Sequence, residues 1–590
     1  MKMNKKVFAA LASALVVFLL FCLFHYLSPF VYQTNDDLFL RMIVSGEMSG
    51  EPESRLYFIS YPAGLVLSLL YRLSPALPWY GLFLCFSYGL SMSLILNRLI
   101  CSGKNLLIQG GMILFFATLS YGFLLPHLAQ LQFTTSAGIA AAGALFLLAT
   151  SASDASFREM LKNNAGFLLL SSYAFSIRSQ VLFMCLPFIG MIWFSKYLDA
   201  EKKQRKNIFF FGCFFLVMLI SFLLIEKFAY LHDDWRSFRS YSSARASVYD
   251  YEGYPDYDTY EETYRELGIS RSSYEGASRR YSLILDPAIN RRSMEALESI
   301  SKQERYDSLG SFSEKVSEMA QFFLERHRSD ADKPLNLLVY RCYLLFILCA
   351  ACSQKRRALR DIFFLLFARM VIWTYLVFYG RLPVRISQTV YLAELAVLFA
   401  VAFHCKIWRS QKQEKTYRHR LSYAAWILSI LVMVFTCVRS GIPNANAASR
   451  ESKALLEFSG SFRYMRDYFK AHPDSFYYLD TNSFAYFTEE ALQKESYADS
   501  NYLFMGGWAA GSPWYEKKLK KRGITDPAVS LYEDPSVYAV FMDMEETNYD
   551  YLENFYRENY PRVRLEVVET VDTGDGISFL ILKGYSEETP

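Results

Sequence analysis

Asn35-Asp36-Asp37, followed one helical turn later by Arg41, sets two adjacent carboxylates and a guanidinium just beyond the first long apolar run, residues 7–27. A carboxylate at that position reaches lipid headgroups yet stays wet enough to ionise. It suits a general base that takes a proton from a hydroxyl reacting at a lipid-linked phosphate. The same residues also read as a helix start. Thr34 or Asn35 would be the N-cap, the two aspartates would face the helix dipole, and Asp37 and Arg41 would form an i,i+4 pair. The two readings are compatible.

Other polar residues recur at turns between apolar runs: His127 and Gln132 after residue 125, Arg178 between two short runs, and Arg381 and Arg385 in Gly380-Arg381-Leu382-Pro383-Val384-Arg385. Arginine forks bind phosphate oxygens in pairs. Two carboxylates with several arginines therefore suit a reaction at an anionic phosphate, with Asp36 and Asp37 catalytic and Arg41, His127, Gln132, Arg178, Arg381 and Arg385 binding substrate. The competing readings are headgroup anchors for the arginines and an interfacial residue for His127, which follows Pro126. Arg369 and Glu394 differ, because both fall near the middle of apolar runs. A structural ion pair between antiparallel neighbours is the reading preferred over a proton relay.

No Gly-rich phosphate loop, His-Glu-x-x-His or Gly-x-Ser-x-Gly occurs. Asp256 and Asp258 have the spacing of a metal-binding Asp-x-Asp pair but read better as a solvated acidic turn. No cofactor is called for, and a divalent metal stays open. The Cys349–Cys352 spacing lies in an apolar run without a nearby histidine and reads as chance.

The elements that must position these groups are membrane helices. Of 590 residues, 53% are hydrophobic, and the apolar ones gather into runs about 20 residues long, the length that crosses a bilayer. The runs are 7–27, 79–98, 105–125, 131–150, 165–177, 180–197, 208–230, 335–352, 361–379, 386–404 and 421–439. The first lacks a small-residue cleavage site and reads as a retained helix. Basic residues concentrate in alternate connections: Lys2 to Lys6, Arg98/Lys104, Arg158/Lys162, Lys196 to Lys206, Lys355 to Arg360 and Lys406 to Arg420. By the positive-inside rule these are cytoplasmic. Residues 56–73 are apolar enough to span, but a span there would invert every later loop. They are expected to be an interfacial helix instead.

The expected fold is a polytopic α-helical membrane protein of about eleven spans, N-terminus cytoplasmic and C-terminus extracellular or periplasmic. Residues 1–230 and 334–439 would form its membrane part, with an outer loop at 28–55. The Tyr- and Arg-rich stretch 231–333 would be an external insertion with amphipathic helices at 290–303 and 312–327. Residues 440–590 would be an external α/β domain, with strands at Phe476–Leu479 and Val537–Met542, a helix at 548–560, and a hairpin of 564–571 and 577–584 turning through Asp572-Thr573-Gly574-Asp575-Gly576. A net charge of +4 is too small to point to nucleic acid.

The chain resembles the GT-C superfamily of membrane glycosyltransferases, including its protein mannosyltransferase-like and bacterial GtrII-like branches. The likeness lies in one span, then an outer loop with Asn35-Asp36-Asp37 running into an interfacial helix, then many spans with outer-face arginines and a C-terminal external domain. It implies an inverting transfer from a polyprenyl-phosphate sugar to a glycan, lipid or protein acceptor of the cell envelope. Asp36 would then be the base, Asp37 its acidic neighbour, and Arg178, Arg381 and Arg385 would hold the donor phosphate. A glycan polymerase or ligase, and a transporter or flippase, are the alternatives. The latter predicts internal repeats and midplane polar groups, and no repeat is found.

Overall fold

The computed structural model describes residues 5–152, 156–307, 312–407, 417–494, 499–544 and 547–586. The basic residues Lys2, Arg409, Lys412 and Lys415 used for the orientation lie outside the described residues. Among the described residues, nine helices are long and apolar enough to cross a membrane: Lys6–Leu27, Trp79–Ser102, Leu106–Phe123, Phe133–Thr150, Lys202–Ala229, Leu335–Cys352, Arg356–Tyr379, Val384–Cys405, and the apolar part of Arg420–Ala471. The predicted runs 165–177 and 180–197 appear as shorter pieces, Ala165–Ile177, Ser179–Met184 and Leu186–Asp199.

Phe133–Thr150 and Val384–Cys405 form the centre, with most of their residues buried. Their small side chains (Ala137, Ala140, Ala141, Ala144, Ala393, Ala400) let helices approach closely. Lys202–Ala229 lies at the edge and turns Phe209, Val217, Ile220 and Phe228 outward. Such outward apolar surface suits lipid. Gly122 and Gly441 mark a close crossing, since a Cβ on Gly122 would fall 2.7 Å from the Gly441 Cα.

The segment expected to be interfacial forms Tyr61–Leu73, 13 residues or about 20 Å long, too short for a bilayer core. It buries Gly64, Leu67 and Tyr71 and exposes Leu65, Val66, Leu69 and Leu73.

Two short parallel strands, β1 (Val31–Tyr32) and β2 (Gln130–Leu131), tie the first loop to the start of Phe133–Thr150. The C-terminal unit holds a five-stranded sheet of β3 (Phe476–Leu479), β4 (Tyr502–Phe504), β5 (Val537–Met542), β6 (Val563–Asp572) and β7 (Ser578–Ser586), in the order β4-β3-β5-β7-β6. β3 is parallel to β4 and β5, and β7 is antiparallel to β5 and β6. The interior strand β3 is buried at all four positions, as expected when helices cover both faces. The hairpin turns where predicted, and β4 is a strand the sequence reading did not pick out. Only a short turn at 472–475 separates the sheet from a helical stretch that runs from Arg420 to Ala471, through a π-turn at Cys437–Gly441 and a turn at Ser459.

The insertion forms helices Asp233–Ser247, Glu261–Glu266, Arg271–Arg280, Arg291–Asp307 and Phe312–Arg328, with a π-turn at Val248–Glu252. It packs on the C-terminal unit, where the Leu283 amide donates to the Met505 carbonyl at 2.9 Å and Arg280 donates to Asn548 at 2.9 Å.

Candidate functional site

The helix Asn35–Ser45 begins at Thr34, whose extended backbone (φ −131°, ψ 155°) starts it as predicted. Thr34 Oγ1 does not cap the backbone but donates to Asp37 Oδ2 at 3.1 Å. Asp37 Oδ1 accepts from the Tyr80 hydroxyl at 2.9 Å and from the Phe133 amide at 3.0 Å. Asp37 is fully buried, and that burial pushes its carboxyl up to about 8, against the pull of those hydrogen bonds. These bonds fix the first turn of the helix against two membrane helices. Asp37 is therefore a positioning residue here, with no lone surface for a substrate.

Asp36, one residue earlier, points elsewhere. Protein surrounds it on nearly all sides, yet its side chain keeps part of its surface accessible, which places it in the wall of a recess. It accepts no hydrogen bond and has no cation within 4.0 Å among the described residues. Burial raises its pKa, while Arg385, Arg178 and Arg245 lower it and Asp250 raises it. Three guanidinium groups thus act on one carboxylate without touching it.

Each arginine is delivered by a helix end. Arg178 sits at the break between Ala165–Ile177 and Ser179–Met184, with extended backbone (φ −156°, ψ 99°). Its guanidinium lies over Phe58 at 4.8 Å and Phe133 at 5.0 Å. Burial lowers its pKa to about 10, and its Nη1 is buried with no hydrogen-bond partner among the described residues. Arg385 lies in the first turn of Val384–Cys405 and makes no ion pair among the described residues. Arg245 ends Asp233–Ser247, is buried, and also keeps a partnerless Nε. Buried donors without partners are uncommon and mark strain or a ligand site. Here they belong to cations that act on one carboxylate.

Arg245 and Asp250 were not foreseen. The available signal was periodicity: Trp235, Phe238, Tyr241 and Arg245 recur at helical spacing, so the arginine falls on the buried stripe of its helix. Arg381, grouped with Asp36 from sequence, stands one step away. It follows Gly380, whose φ of +70° ends the preceding helix, and it pairs with Asp250 at 3.2 Å.

Three expected substrate-binding residues are placed differently. Arg41 does not pair with Asp37: it is buried, and its guanidinium binds Glu47 and both oxygens of Glu489, with Nη2 to Oε2 at 2.5 Å. Arg466 joins at 3.4 Å from Glu47 and 3.5 Å from Glu489, and the Tyr502 hydroxyl donates to Glu47 at 2.6 Å. Burial pushes Glu47 up, but Arg41 and Arg466 outweigh it and hold the carboxyl at about 2. The arginine is consumed because the C-terminal unit brings Glu489 to it, a pairing no local spacing reveals. Gln132 is a helix cap, its Oε1 accepting the Thr135 amide at 3.0 Å and its Nε2 donating to Thr134 at 3.3 Å. His127 lies in the short helix Pro126–Ala129, where burial lowers its pKa to about 4.

Arg369 and Glu394 are paired as expected, within an aromatic setting of Tyr340, Trp373 and Tyr391 around the guanidinium. Among the described residues, no group of three or more His, Cys, Asp or Glu side chains could hold a metal ion. Asp256 accepts from Thr259 at 3.0 and 2.9 Å, and Asp258 pairs with Arg271, as a solvated acidic turn would. All ten cysteines are free. Compared with family models, curated proteins and solved structures, the chain matches none.

Proposed function

We propose that this chain is a membrane glycosyltransferase that moves a sugar from a polyprenyl-phosphate donor to a cell-envelope acceptor, with Asp36 as general base. The observation that carries it is Asp36 itself, nearly enclosed yet partly accessible and free of hydrogen bonds, under the charge of Arg178, Arg245 and Arg385, two of which keep buried donors without partners. A base flanked by partnerless guanidinium donors suits a group that brings its own negative charge, as a phosphodiester does.

In this reading Asp36 takes the proton of an acceptor hydroxyl as its oxygen bonds to the anomeric carbon. The bond from that carbon to the phosphate oxygen breaks, and its electron pair stays on the phosphate. The arginines stabilise the charge that grows there. A carboxyl raised by burial is matched to such a proton transfer near neutral pH better than an ordinary aspartate. Asp37 holds the helix that aims Asp36. The site would face the outside, with the N-terminus cytoplasmic and the C-terminal unit extracellular or periplasmic, and the membrane lipids would hold the donor's polyprenyl chain alongside the spans.

Transfer from labelled polyprenyl-phosphate sugars by the wild type and Asp36→Asn tests it. The variant should lose about 10²–10⁴-fold in kcat. Its thermal unfolding should be unchanged, because Asp36 holds no hydrogen bond that folding depends on. Full turnover in the folded variant removes Asp36 as the base.

A further inference from the structure

An open groove of about 570 Å³ lies between the turn at Gly380-Arg381 and the insertion. The π-turn Val248–Glu252 supplies Asp250, Tyr251 and Glu252 to it in succession, and Glu304, Arg305 and Tyr379 complete the walls. Such π-turns often occur at functional sites.

The groove differs from the recess in how its charges are matched. Arg381 pairs with Asp250 at 3.2 Å, and Arg305 donates to both oxygens of Glu252 at 2.9 Å. Each cation has its carboxylate, and Glu304, hydrogen-bonded by Tyr260, adds a further negative charge, so a phosphate meets no spare positive charge here. What the groove offers instead is two tyrosine rings, Tyr251 (52% exposed) and Tyr379 (46% exposed), beside carboxylate oxygens that accept hydrogen bonds. A sugar ring presents an apolar C–H face to an aromatic ring and hydroxyl donors to a carboxylate, and the charged acceptor strengthens those bonds.

The groove is also tied to the base: Asp250 in its wall pairs with Arg381, in the turn that leads directly into the helix carrying Arg385, and Asp250 and Arg385 both act on Asp36. From this geometry we infer that the groove binds a neutral oligosaccharide, the acceptor glycan, and delivers one of its hydroxyls to Asp36. The inference rests on the transferase reading above and adds to it the class of acceptor: glycan rather than protein or lipid.

The test uses the full-length chain in the envelope of cells that make it, with a benzophenone amino acid in place of Tyr379 and, as control, in place of exposed Tyr486 outside the groove. Irradiation should give an adduct at 379 whose added mass is destroyed by periodate and resists protease, and none at 486. An adduct that protease removes, one that organic solvent shows to be lipid, or no adduct at 379 in a folded chain overturns the inference. The same cross-link in an Asp36→Asn background separates the two proposals. If glycan still couples at 379 while that variant keeps full turnover, the groove stands and the base falls. If coupling fails while turnover is lost, the base stands and the groove falls. In transfer assays Tyr379→Ala should raise the acceptor KM by about 10-fold and leave the donor KM alone, as loss of one stacking contact would. A shift confined to donor KM counts against the groove.

Discussion

The 11-residue helix Asn35–Ser45 carries two buried charge sites that solve the same problem in opposite ways. Arg41 is met by Glu47, Glu489 and Arg466, so two cations face two anions and the guanidinium of Arg41 is bound on both edges. Asp36, on the first turn, has three arginines near it and contact with none. A matched cluster repays desolvation with contacts already made, and its work is to hold the C-terminal unit to the first loop. The unmatched cluster leaves donors unused, and under the proposed function a negatively charged donor would complete it. Charge alone, which both share, does not distinguish a joint from a binding site; the state of the partners does.

Removing one member of the matched cluster should have the largest effect. Arg41→Ala leaves Glu47 and Glu489 facing each other with Arg466 alone between them, and breaking a buried pair in this way costs about 3–5 kcal/mol. The loss should appear as a lowered thermal unfolding midpoint and as new protease sites where residues 488–491 meet the first loop, since β1 pairs there with the Glu489 and Ala491 backbone. An unchanged midpoint would mean that the cluster is not the joint described.

The complementary change, Arg178→Ala, should leave stability almost intact, within about 1 kcal/mol for the loss of its ring contacts with Phe58 and Phe133. Its effect belongs to binding: a charge-assisted hydrogen bond contributes about 1.5–3 kcal/mol, so the donor KM should rise about 10–100-fold, with partial recovery in Arg178→Lys. Equal destabilisation by Arg178→Ala and Arg41→Ala would erase the distinction between the two sites.

How much of this was legible in the sequence follows the same division. Apolar runs and the Asp pair could be read directly, because span length and helix-start chemistry are local. Arg178 and Arg385 could be assigned to one end of the bundle, because alternation of charged connections sorts the loops. The partners of Arg41 could not, since Glu489 is more than four hundred positions away and reaches it only through the docking of the C-terminal unit. Gln132 was misjudged because a buried cap and an exposed ligand look alike until the Thr135 amide is seen. Arg245 was missed because an arginine-rich insertion makes any single arginine look like surface, although its place on the buried stripe was there to be read.

An effect of pH rather than of lost contacts concerns Asp37, which stands between the two sites and belongs to neither. Its carboxyl is raised from an ordinary 3.8 to about 8 by burial. Between those values the folded chain keeps a proton that the unfolded chain has lost, so unfolding releases it and rising pH favours unfolding. Stability should therefore fall as pH goes from about 4 to about 8 and level off above. Asp37→Asn, neutral throughout, should flatten that slope while Tyr80, Thr34 and the Phe133 amide keep a polar partner in place. Thermal midpoints of both chains across pH 4–9 give the comparison. A wild-type slope that survives in Asp37→Asn would assign the pH dependence to another group, and would leave Asp37 with its role in aiming Asp36 alone.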